Sequence, residues 1–137
     1  MSREETHRRK WRGKHAELKL CKFLEKHGFK AKRSAMSGIG RGMPDVFATK
    51  GDLLVAFEVK AARTKNAKIQ HSQIAKLRDF LAFFDYYPKR LGVIAVTFPY
   101  KGWIFHKLEG QDWNRNTIKI TPNTQSNWSP QEEQKSL

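Results

Sequence analysis

One nine-residue segment constrains the fold more than any other. Leu53–Ala61, LLVAFEVKA, is apolar except at Glu58 and Lys60. A strand that apolar is covered on both faces, as the central strand of a sheet with helices on either side is. Side chains alternate along a strand, so Leu54, Ala56, Glu58 and Lys60 share one face and Leu53, Val55, Phe57 and Val59 the other. A carboxylate and an ammonium therefore emerge side by side near the end of a buried strand. On its own, Glu-x-Lys is as often an ordinary salt-bridged strand end.

The flanking pattern supplies the rest of an α/β domain. Residues 14–27 read as a helix, with Leu20, Phe23, Leu24 and His27 at helical spacing and Gly28 where a left-handed cap belongs. Residues 29–33 form a short strand, 34–43 a Gly/Ser-rich loop, and 44–49 a strand opened by Pro44. The turn at 50–52 makes that strand a hairpin neighbour of Leu53–Ala61. Residues 62–70 read as a basic, polar connection. A second helix covers 72–84, with Ile74, Leu77, Leu81 and Phe84 on one side, and strands follow at 91–98, 103–107 and 117–120. The expected architecture is a mixed central sheet flanked by helices. With 137 residues there is room for one core. Residues 1–12 are expected to be a basic arm, 13–120 the single domain, and 121–137 a mobile polar tail.

Charge narrows the partners. Lys plus Arg number 27 against 13 acids, a formal net charge of +14. That balance favours a polyanion, nucleic acid first. The one cysteine, Cys21, excludes a disulfide framework and a multi-cysteine zinc site, and fits a reducing, intracellular setting. The five histidines show no zinc-ligand spacing. No apolar run approaches a membrane span, and the basic N-terminus lacks the apolar stretch of a secretory signal. Neither a membrane nor a small-molecule cofactor is expected.

Asp45 follows Pro44 at a strand start, 13 residues before Glu58. Hairpin pairing brings the two near each other, and two close carboxylates are most easily stabilised by a divalent cation. Mg2+, or Mn2+, takes oxygen donors, which Asp45, Glu58 and the Val59 carbonyl supply. Such an ion activates water for phosphodiester hydrolysis, and Lys60 is placed to hold that water. Glu17 lies on the buried stripe of the first helix above Leu20, Cys21 and Leu24. Buried without a partner it costs several kcal/mol. It needs a lysine, another cation or a metal, unless that end of the helix is exposed.

These residues resemble the archaeal-type Holliday junction resolvases of the PD-(D/E)xK nuclease superfamily. The resemblance runs through Gly13 to Glu17, Gly28-Phe29, Arg33 to Gly40, Met43 to Val46, Phe57 to Lys60, Gln73 with Leu77, and Val93 to Phe98. It implies a restriction-endonuclease-like core with Glu17, Asp45 and Glu58 as metal ligands. Lys60 would be the catalytic lysine and Ser37 a loop serine acting in cleavage. It also implies a homodimer that nicks opposing strands of a four-way junction symmetrically. Leu18 stands where the family often has Arg, and Met36 and Ile39 where small or polar residues are common.

The candidate DNA contacts are Arg8, Arg9, Lys10, Arg12, Lys32, Arg33, Ser37, Arg41, Arg63, Lys65, Lys68 and Gln73. Phosphate contacts of this kind position branched DNA without reading bases. Phe80, Phe83, Phe84, Tyr86 and Tyr87 serve either the core or a dimer interface. The alternative functions are a restriction-like or repair nuclease on other DNA structures, or a non-catalytic nucleic-acid-binding protein on the same scaffold.

Overall fold

The computed structural model describes residues 2–34, 42–63 and 65–134. The chain runs α1 (Arg3–Lys26), β1 (Lys30–Arg33), β2 (Val46–Lys50), β3 (Leu53–Ala61), β4 (Ala67–Gln70), α2 (His71–Ala82), β5 (Lys89–Phe98), β6 (Gly102–Lys107) and β7 (Thr117–Ile120). A five-stranded mixed sheet has the order β1-β2-β3-β5-β6, with β3 in the middle and parallel to β5. The expected class holds.

β3 is buried along most of its length because both faces are covered. Leu53, Val55, Phe57 and Val59 pack with Leu20 and Leu24 of α1. Leu54 and Ala56 pack with Ile74, Leu77 and Leu81 of α2. Gly28 ends α1 at φ +87°, a left-handed conformation that side chains with a Cβ rarely adopt.

Three expectations change. Residues 3–12 are not a separate arm but the first turns of α1, which begins well before residue 14. Ser2 caps the helix by accepting a hydrogen bond from the Glu5 N–H at 3.1 Å, and Glu4 and Glu5 lie at the positive end of its dipole. The segment 62–70 contains β4, which pairs with β7 in a separate two-stranded ribbon, burying Ala67 and Ile69 beneath α2. The polar tail is folded through its described part. Trp128 is 1 % exposed, packed on Phe29, Phe57 and Phe105. Its indole N–H donates to Glu133 Oε1. Ser126 and Asn127 hydrogen-bond the backbone of Phe105 and Lys107, covering the outer edge of β6.

Among the described residues no helix is long and apolar enough to cross a membrane.

Candidate active site

The site forms where β2 stops and β3 continues. Pro44 has no N–H to extend the ladder and Asp45 is the last residue to pair: its N–H donates to the Phe57 carbonyl at 3.0 Å, and its carbonyl accepts from the Ser34 N–H. Beyond it, the Asp45 carboxylate takes over from the missing strand. Its Oδ2 accepts the Val59 N–H at 2.9 Å. N–H and C=O of one strand residue point to the same side. The Val59 carbonyl therefore lies on the same open edge as the Asp45 carboxylate.

Glu58 is 3 % exposed and faces α2. Gln73 Nε2 donates to its Oε2 at 3.1 Å, and Lys76 Nζ lies 3.4 Å from its Oε1. Oε1 has no hydrogen-bond partner among the described residues. Burial first, and the Asp45 carboxylate second, push the Glu58 pKa up to about 8, with Lys76 and Lys60 pulling the other way. The Asp45 carboxylate thus stands near enough to disfavour a charge on Glu58, and without a metal Glu58 holds its proton more tightly than an ordinary carboxyl does. Lys60 follows two residues on along the same face of β3, half-buried.

Glu17 is indeed buried, at 9 %, on the opposite face of the sheet. Its partner is Arg33, whose Nε donates to Oε1 at 2.6 Å. Burial and then Asp45 raise the Glu17 pKa, while Arg33 opposes them. Among the described residues no three acidic, histidine or cysteine side chains converge as an ion-binding cluster. The structure thus brings Asp45 within electrostatic reach of both Glu58 and Glu17, with Glu17 held on Arg33. Asp45, Glu58 and the Val59 carbonyl form an all-oxygen donor set, with one buried oxygen, Glu58 Oε1, lacking a hydrogen bond. That set suits a hard divalent ion.

Arg33 and Gln73, expected on DNA, hydrogen-bond carboxylates in this structure, those of Glu17 and Glu58. Gln73 also accepts the Gln70 N–H at 2.9 Å, which orients its amide toward Glu58. Arg8, Arg9, Lys10, Lys32, Arg63, Lys65 and Lys68 are exposed and Arg12 is half-buried. Ser37 and Arg41 lie outside the described residues. Lys76 was not among the expected site residues. The only signal for it is that it stands three residues after Gln73 on α2, and one lysine on an amphipathic helix ordinarily marks a solvated face.

A family profile described as archaeal Holliday junction resolvase (hjc) matches residues 8–127. The crossover junction endodeoxyribonuclease of Sulfolobus islandicus rod-shaped virus 1 is 39% identical over 109 residues, covering 79% of this chain and 90% of that protein. The crossover junction endodeoxyribonuclease Hje of Saccharolobus solfataricus is 38% identical over 87 residues, 63% of each chain. The match therefore spans less than two thirds of that relative's length. The structure of Archaeoglobus fulgidus Hjc, a Holliday junction resolvase from an archaeal hyperthermophile, superposes with a TM-score of 0.65 at 27% identity, over 77% of this chain and 83% of that one. Buried acid pair, lysine, sheet order and relatives agree: the chain belongs to the archaeal Holliday junction resolvase family.

Proposed function

We propose that the chain is a Mg2+-dependent endonuclease, with Mn2+ as the substitute ion, that resolves four-way DNA junctions as a homodimer by paired nicks on opposing strands. The observation that carries this reading is the Asp45 carboxylate on the open edge of β3 at Val59, next to buried Glu58, with Lys60 two residues further along the same face. When bound, the divalent ion supplies Lewis acidity, activating a water and neutralising charge on the phosphoryl oxygens. Asp45, Glu58 and the Val59 carbonyl would hold it. Glu58 would bind such an ion in its deprotonated form. Lys60 hydrogen-bonds the attacking water and stabilises the negative charge that builds on phosphorus-bound oxygen as the leaving oxygen departs. Glu17, whose Oε1 accepts from Arg33, would add a further oxygen to that set.

Exposed aromatics at the end of α2 support the homodimer. Phe83 is 85 % and Tyr86 93 % exposed, with Phe84 alongside, a cluster suited to burial against a second copy.

The test is cleavage of an end-labelled four-way junction and a linear duplex, in Mg2+ and in EDTA, with Glu58→Ala in parallel. Symmetrical nicks in the junction alone, lost in EDTA and in the variant, are expected. Equal cutting of both substrates would retain the nuclease and discard junction selectivity. Tight binding without cutting in any metal would leave only a DNA-binding scaffold.

A further inference from the structure

We propose that the cleft between α1 and the end of β3 is a phosphate-binding subsite, which holds a backbone phosphate of the cut strand adjoining the scissile position. The inference rests on the nuclease reading above and specifies where its substrate is gripped.

The cleft, about 640 Å3, is lined by Arg9, Arg12 and Gly13 of α1, by Lys60 with its strand neighbours, and by Arg63 just beyond β3. Its cations thus come from two separate parts of the chain, and the lysine of the acid pair forms part of its wall. Among the described residues no carboxylate lines it; Glu5 appears only in the outward continuation, among Arg8, Arg9, Arg12 and Arg63. Guanidiniums gathered this way repel. Partial desolvation first, then Arg63, Arg9 and Arg8, lower the Arg12 pKa. An anion in the cleft relieves that repulsion, and the planar guanidinium fork matches phosphate oxygens.

Gly13 is the independent observation. It sits inside a 24-residue helix, where glycine is unfavourable relative to alanine. It has no positive φ to require it. A Cβ built there meets nothing within 4 Å. No packing among the described residues therefore accounts for the glycine, whereas its position on the cleft wall leaves room for a ligand to come close to the helix backbone. Arg63 stands three positions after Lys60, at most about 10 Å along the backbone, so the held phosphate lies about one to three nucleotides from the cut.

The test uses full-length protein and junctions carrying one methylphosphonate, walked along a strand across the junction centre, with binding measured in EDTA. One position is expected to weaken wild-type binding about tenfold, the scale of one charge-assisted contact. The same substitution should cost nothing in Arg12→Gln/Arg63→Gln. Gly13→Met, which changes no charge, should hold or raise the Tm yet lose affinity and become insensitive at that same position. Lys10→Met, outside the cleft, should keep the sensitivity. Penalties that simply add to the variants' losses at every position would reduce the arginines to diffuse surface charge and overturn the subsite. Full affinity in Gly13→Met would overturn it too. If wild-type protein cuts no DNA with any divalent ion, the nuclease reading fails, while the binding cycle still decides the subsite.

Discussion

At the scale of single residues, the proposed chemistry turns on the proton that buried Glu58 holds. Asp45→Asn is expected to lower cleavage by at least about a hundredfold while leaving junction binding intact or tighter, because a charge that repels phosphate is removed. Cleavage assays and gel-shift titrations on the same preparation check this; parallel loss of binding in a folded variant would remove Asp45 from the catalytic role. Glu58, raised to about 8, binds a proton in the folded state that it lacks when unfolded, from the ordinary carboxylate range up to about pH 8. Without metal, its contribution to stability therefore falls as pH rises through that window and levels off above it. Mg2+ affinity should run the opposite way, rising up to about tenfold per pH unit between pH 6 and 8, then flattening, with protons released on binding. Calorimetry in buffers of different ionisation heat reads both. Lys76 lowers the Glu58 pKa, so Lys76→Met should move the midpoint of that pH dependence upward. An unmoved midpoint would make the lysine a surface charge.

At the scale of elements, what the sequence discloses depends on how local the cause is. β3 and its hairpin with β2 were readable because an apolar run, a Lys-Gly-Asp turn and Pro44 are neighbours in the chain. α2 and the buried face of α1 were readable from helical spacing, and with them the burial of Glu17. The start of α1 was not, because its first turns are polar all round and bury nothing. Good helix formers and the Ser2–Glu5 cap hold them, and that cap was the available signal. β4 shows the alternation Ala-Lys-Ile-Gln, but its partner lies fifty residues on. Lys76 and Arg33 depend on which side chain faces a carboxylate from another element, which spacing within one helix or strand does not encode. Trp128 was lost in a polar composition that one aromatic anchor overrides. Trp128→Ala should cost about 3–5 kcal/mol in denaturant unfolding; a loss below about 1 kcal/mol would mean the segment is not part of the core. Gly92 is needed for a different reason: a Cβ there would lie 2.6 Å from the Trp113 ring, so Gly92→Ala should destabilise by about 1–3 kcal/mol.

At the scale of the whole molecule, a net charge of +14 on 137 residues makes binding steeply salt-dependent. Each arginine removed from the cleft should lower the slope of log K against log salt by about one. Sedimentation at micromolar concentration should show a dimer, and Phe83→Ser with Tyr86→Ser should shift it toward monomer; a lone 16.0 kDa species for the unaltered chain would sink the assembly. Trp128 also orders events in time. It closes the α1 side of the core on Phe29, Phe57 and Phe105. Phe57 and Glu58 are neighbours on β3, so the support beneath the acid pair arrives 70 residues after the pair itself is synthesised. On the ribosome α1 can already cover part of that face, but its packing is completed only when residue 128 clears the exit tunnel. The full support beneath the proposed catalytic strand is therefore expected to form only late in synthesis.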